Sequence, residues 1–270
     1  MVFHERLGAL THGKIELDNI ADPVAWLSQA LEKEFTARNI PVQVVYGNTT
    51  KSADIVLTVK KFQIVSRRTG GSEYNPWETY HSFRGDVTTG RKTTDIRAYF
   101  FNGKVPWTWK AVEEACFNMP LSLLVKEIAS KINTIALHYS AGDESIRDTG
   151  ARAAEQAKNK DDHACFTLFE LGGSNNPGAL KTLHTFAEND DRFVRACALS
   201  AIGTLGAKNQ FEFLQKKYMQ YDEIDKYMAL KSIGDAGTPQ AMEFVRKSMG
   251  DPLYANEMAF KYCADLYLEK

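Results

Sequence analysis

The sequence predicts a chain in two parts, an α+β domain followed by an all-α domain of helical hairpins. Three observations carry this expectation. Runs with strand-like alternation are confined to the first half, a self-similarity of period 31 occupies the last part, and a stretch rich in Ala, Arg and Gln separates them. The expected boundaries are 1–140 for an antiparallel sheet with helices on one face, 141–160 for a linker or capping helix, and 161–270 for the repeats.

Asp22-Pro23 pairs a capping carboxylate with a proline at the first helical position, and Val24, Leu27, Leu31 and Phe35 follow at helical spacing. A helix should run to about Arg38 and close at Asn39, with Pro41–Tyr46 as a short strand. Between Asp54 and Ser66, Ile55, Leu57 and Val59 share one face, but Phe62 and Ile64 continue in the opposite phase, which predicts a β-bulge at Lys60-Lys61. Trp77–Val87 and Asp95–Phe101 are further strands, the latter turning through Asn102-Gly103 into Lys104–Trp109. Leu121, Leu124, Val125, Ile128, Ile132 and Ile135 form the core stripe of a helix starting near Pro120.

Three segments of this half, Leu27–Asn39, Ala53–Val59 and Leu124–Ala129, resemble the YajG-type bacterial envelope lipoproteins over roughly residues 20–138. The resemblance implies an envelope setting and a binding role without catalytic residues. No lipid-accepting cysteine precedes the domain, so an anchor would lie upstream of Met1.

In the second half, Pro177–Leu183 aligns with Pro239–Val245 at twice the period, and Lys208–Leu214 keeps the apolar positions between them without the proline. Ala198, Leu199, Ile202, Gly203 and Gly206 precede Ala229, Leu230, Ile233, Gly234 and Gly237 by one period. Gly206 and Gly237 should close helices in a conformation that glycine takes cheaply, while Ala198 and Gly203 admit a close neighbour. Leu253–Leu268 reads as one closing helix whose stripe holds Tyr254, Met258, Tyr262 and Cys263. Asp191–Gly203 resembles the first helix of HEAT repeats, especially the short variety of phycobilisome lyases. That resemblance implies structural roles for Asp191 and Arg195 in a ladder between repeats, left incomplete by Asp225 at the position of Val194.

The charge is balanced, with 17 basic against 14 acidic side chains in residues 1–140 and 16 against 20 in the remainder. Neither half carries the basic excess of a nucleic-acid binder. No stretch reaches transmembrane length. Cys116, Cys165, Cys197 and Cys263 lack metal spacing and fall at packing positions, which favours buried free thiols, with a disulfide left open. Gly85–Thr93 misses the phosphate-loop spacing and reads as a turn. Glu113-Glu114 reads as a solvated helix start, and the scattered histidines as exposed or structural groups. Arg67, Arg68, Arg84, Arg91 and Lys92 could gather at one sheet end beside Trp77, Trp107 and Trp109.

These features point to a non-catalytic binding or adaptor protein with no catalytic, cofactor or metal residues. Its protein partner would meet the second helix of each hairpin through Lys181, His184, Gln215 and Lys216, with Trp107 and Trp109 as aromatic area in the first domain. The phycobilisome-lyase resemblance implies an alternative, a tetrapyrrole (bilin) lyase or chaperone-like enzyme. A bacterial periplasmic or outer-membrane address is expected if residues precede Met1 in the cell, and a cytoplasmic one otherwise.

Overall fold

The structure is a computed structural model that describes residues 22–47, 53–70, 74–105 and 108–269. A three-stranded antiparallel sheet between residues 55 and 104 is followed by an all-helical remainder. The chain divides into two compact units, residues up to Val125 and residues from Lys126 onward. Composition alone places the boundary later, near residue 140, where the structure has helix α4 (Asp143–Lys158) beginning.

In the first unit, Asp22 starts helix α1 (Pro23–Ala37) by accepting the N–H groups of Val24 and Ala25 at 2.9 and 3.0 Å. Leu27, Leu31 and Phe35 bury its stripe, and Asn39 closes it at φ 55°. The strand expected at Pro41–Tyr46 does not form. That segment is irregular, and a strand without a neighbour to complete its ladder has nothing to hold it extended.

Strands β1 (Ile55–Arg68), β2 (Trp77–Thr89) and β3 (Lys92–Lys104) lie in chain order. Val59 pairs with Gly85 and Lys61 with Arg84, so Lys60 is the extra residue of a bulge. The bulge returns Phe62 and Ile64 to the face of Leu57 and Val59, as the phase change predicts. Strand β3 corrects the expected hairpin at Asn102-Gly103. Those two residues pair with Thr79 and Glu78, and the Asn102 amide donates to the Ala115 carbonyl at 2.6 Å, so tertiary partners override the local turn preference. The real hairpin turn is at Gly90, φ 58°, so the described residues hold three strands where the sequence suggests five.

Thr108 caps helix α2 (Trp109–Glu113), which continues through a π-type turn at Glu114–Asn118 into helix α3 (Met119–Ile132). Glu113 and Glu114 therefore sit inside a helical run instead of starting one. Cys116 and Phe117 pack with Trp77, Phe62 and Ile64 on one sheet face, where Trp26 of α1 stacks on Phe62 at 6.1 Å. His81, in the middle of β2 between Ile64 and Phe100, is completely buried, and neither ring nitrogen has a hydrogen-bond partner. Burial alone pushes its pKa down to about 3.

In the second unit, three hairpins follow α4. They pair α5 (His163–Gly172) with α6 (Ala179–Phe186), α7 (Arg192–Gly206) with α8 (Phe211–Gln220), and α9 (Glu223–Ala236) with α10 (Pro239–Ser248). The expected closing helix is broken by extended backbone at Glu257 into α11 (Pro252–Asn256) and α12 (Met258–Leu268). The helices α5, α7, α9 and α12 pack in succession. At each step a glycine removes an obstacle. A Cβ on Gly172 would stand 2.8 Å from Ala201 Cα, one on Gly203 2.7 Å from Ser232 Cα, and one on Gly234 2.4 Å from the Tyr267 ring. These glycines recur every 31 residues, which ties the sequence period to a steric requirement. Gly237 closes α9 in the left-handed region, φ 59°, as expected, whereas Gly206 is extended at φ −168° and needs no glycine.

Cys165 on α5 and Cys197 on α7 form a disulfide with a Cα separation of 5.5 Å, which corrects the expectation of four free thiols. Burying one side chain on each of two successive helices set the two sulfurs against each other. Cys116 and Cys263 are free and buried.

Two outcomes follow from this packing. Because the folded His81 resists the proton that unfolded histidine binds near its ordinary value, its contribution is intact above that value and falls as the pH drops towards about 3. Denaturant titrations should show wild type losing about 2 kcal/mol more than His81→Phe between pH 7.5 and 5. Gly203→Ala should cost about 1–3 kcal/mol through overpacking despite alanine's better helix propensity, whereas Gly206→Ala should be nearly neutral in the same melts.

Candidate functional site

The densest chemistry of the second unit is a buried cluster of four charges. Glu127 and Lys131 come from the last turns of α3, Lys231 and Asp235 from α9, at spacings of four that put each pair on one helix face. Lys131 Nζ lies 2.6 Å from Glu127 and 2.5 Å from Asp235, and Lys231 Nζ lies 2.7 Å from Glu127 and 2.9 Å from Asp235. Tyr267 of α12 donates to Asp235 at 2.5 Å, and Lys231 donates to Ser200 Oγ of α7 at 3.0 Å. Burial opposes the charge on Lys231, but Asp235 and Glu127 hold its pKa above the usual lysine value. Burial likewise opposes ionisation of Asp235, yet Lys131 and Lys231 keep it below the usual carboxylate range. Burial, then Asp235, pushes the Tyr267 phenol well up. Two acids balance two bases in a space where the Lys231 and Glu127 side chains are 0% exposed, so the cluster ties α3, α7, α9 and α12 together and offers a substrate no approach.

A second set of polar contacts links successive hairpins. Asp191 caps α7 by accepting Phe193 N–H at 2.7 Å. Arg195 grips Asp225 through two donors at 2.7 and 3.0 Å, caps the chain before α7 at the Asn189 carbonyl, and lies over the Tyr221 ring. Asp225, one period after Val194, is thus the partner of Arg195, and burial raises its pKa against the pull of Arg195. Buried Lys217 on α8 reaches back to Glu188.

An open groove of about 700 Å³ runs between the second helices α8 and α10. Phe211, Gln215, Tyr218 and Met219 occupy positions i, i+4, i+7 and i+8 of α8, while Gln240, Glu243, Phe244 and Lys247 line the facing row of α10. Phe244 meets Phe211 and Tyr218 edge-on, with centroids 5.9 and 5.1 Å apart, and forms the apolar floor. At one end the Tyr218 hydroxyl donates to Asp251 at 2.9 Å, and Lys226 pairs with the same carboxylate at 2.8 Å. Burial raises the Tyr218 phenol, and Asp251 raises it further. Met219 is 73% exposed beside the groove. This is a surface for shape and apolar contact, without a nucleophile paired to a base. Among the described residues no group of His, Cys, Asp and Glu is placed to hold a metal.

Of the expected surface residues, Gln215 lines the groove and Lys216 stands exposed beside it. Lys181 is exposed on α6, one hairpin earlier. His184 serves packing: its ring stacks on Phe213 at 4.1 Å and pairs with the Gln210 amide at 2.8 Å, joining α6 to α8. Trp107 lies outside the described residues, and Trp109 falls in α2. The basic residues of the sheet do not gather. Arg67 and Arg68 lie opposite Glu78 and Trp77 at one end, whereas Arg91 and Lys92 flank the β2–β3 turn at the other. Sequence reasoning missed Phe211, Gln240 and Phe244. The period carries Phe213 and Lys216 onto Phe244 and Lys247, so extending the alignment through α10 would have marked that wall.

Comparison of the chain with family models, with curated proteins and with solved structures finds no match.

The charged cluster sets a measurable expectation for stability. Lys231→Met leaves Glu127 and Asp235 sharing one cation in a dry space and should cost about 3–5 kcal/mol in chemical unfolding. A change below 1 kcal/mol would remove the cluster from the interactions that hold these helices.

Proposed function

We propose that this chain is a non-catalytic binding protein, an adaptor whose HEAT-like hairpins engage a protein partner along their second helices. The observation that carries the reading is the groove between α8 and α10, where aromatic rings and a largely exposed methionine face solvent on neighbouring helices held in fixed register. Apolar area of this kind, rimmed by polar side chains, is what interaction sites present. The chemistry found elsewhere in the unit supports the same reading, because its strongest electrostatic groups are spent on joining helices. The Cys165–Cys197 bond favours an oxidising address such as the bacterial envelope.

A photocrosslinking side chain placed in the full chain at position 215 and, separately, at position 216 tests the proposal in the native host. Gln215 and Lys216 should each yield a discrete protein adduct, weakened by Phe244→Ala, while the same probe at exposed Glu155 on α4 should yield none. Equal labelling from position 155, or no adduct from 215 or 216, would falsify it.

A further inference from the structure

We infer that the Cys165–Cys197 bond is a redox-sensitive joint in the helical array: its reduction by a dithiol frees α4 and α5 to part from α7, while the stack from α7 to α12 stays closed. The joint lies outside the α8–α10 groove and is independent of what that groove binds.

Successive steps of the stack exchange one fastening for another. At the step from α7 to α9, Arg195 grips Asp225, Lys231 donates to Ser200 Oγ at 3.0 Å, and Ser232 donates to the Leu199 carbonyl at 2.8 Å. One period earlier, at the step from α5 to α7, the same positions hold Ala164 with Val194, Phe169 with Ser200, and Leu168 with Ala201. None of these pairs can repeat its counterpart's contact, because alanine and valine carry no charge, phenylalanine offers no side-chain oxygen, and Ala201 has no hydroxyl. Conversely, Cys165 and Cys197 fall one period on at Ala196 and Met228, two buried apolar side chains that no bond joins. The step that keeps the polar ties has no covalent bond, and the step that has the bond has lost those ties. At α5–α7 the register therefore rests on apolar packing and on one link that two electrons can break.

The connections around α5 place the seam. Thr167 donates to Gln156 of α4 at 2.6 Å, and Arg152 of α4 pairs with Glu170, so α4 is fastened to α5. The second helices keep their own tie, His184 of α6 against Gln210 and Phe213. With the bond in place, α5 cannot leave α7, because two of their Cα atoms are held 5.5 Å apart across a sequence separation of 32 residues.

Cys165 and Cys197 are each 1% exposed, so a dithiol reaches them only when the seam opens locally. One of its thiolates attacks a sulfur of the pair, breaking the S–S bond and forming a mixed disulfide. Its second thiolate then closes on the first and expels the cysteine held in that intermediate. Two electrons pass to the pair, each cysteine takes up a proton, and the dithiol departs as its own disulfide. Cys263, a free thiol 0% exposed on α12, lies beyond the seam and reports on the part of the stack that should stay closed.

Hydrogen exchange of the full chain, oxidised and after treatment with dithiothreitol, tests the joint amide by amide. Loss of a bond closing a loop of this length should speed exchange in α5 by on the order of a hundredfold, while α9 and α12 change by less than about threefold. Once reduced, Cys165 and Cys197 should be alkylated at least about tenfold faster than Cys263 in the same sample. Cys165→Ala/Cys197→Met, which copies the Ala196 and Met228 pair, should exchange like the reduced chain and ignore dithiothreitol. Uniform acceleration from α4 to α12 overturns the inference, as does protection of α5 that survives reduction, or a double variant whose α5 is as protected as in the oxidised chain. If that variant does not fold, the reduced wild-type chain decides between the same outcomes.

Discussion

The second unit depends on how closely its first helices approach one another. Gly172, Gly203 and Gly234 each face the backbone or an aromatic ring of the following helix at distances no Cβ could occupy. With the backbones that near, short side chains suffice to join them: Ser232 reaches the Leu199 carbonyl at 2.8 Å, and Lys231 finds Ser200 in the same layer. The disulfide and the buried charges occupy neighbouring layers of the same stack. The glycine period therefore sets the spacing, and the polar contacts fix the register that the spacing permits. The second helices inherit both, so the walls of the groove follow from a constraint located on the opposite helix of every hairpin.

The buried charges suit this arrangement. Apolar side chains alone would tolerate a helix sliding by a turn, because one leucine contact substitutes readily for another. Two lysines that must each meet two carboxylates allow one alignment of α3 with α9. Such a cluster adds specificity more than net stability, since desolvation consumes much of the attraction.

Local signals read reliably wherever a residue acts through its own backbone. Asp22 caps, Asn39 and Gly237 close helices, and the phase change at Lys60 is the bulge. Signals failed where a distant partner decided the outcome. Asn102-Gly103 has the composition of a turn, yet its pairing with Thr79 and Glu78 and the buried bond to Ala115 keep it in a strand. Cys165 and Cys197 are 32 residues apart, one more than the repeat, so the alignment that revealed the array also hid the pair. Gln215 was legible as an exposed second-helix position, while Gln240 and Phe244 became part of the same surface only when α10 was placed beside α8.

The disulfide also divides the array mechanically. Its covalent loop encloses the first hairpin and the start of α7, whereas both walls of the groove lie beyond it, between residues 211 and 251. One end of the stack is thereby set in its curvature by a bond, and the other is held by packing and ion pairs.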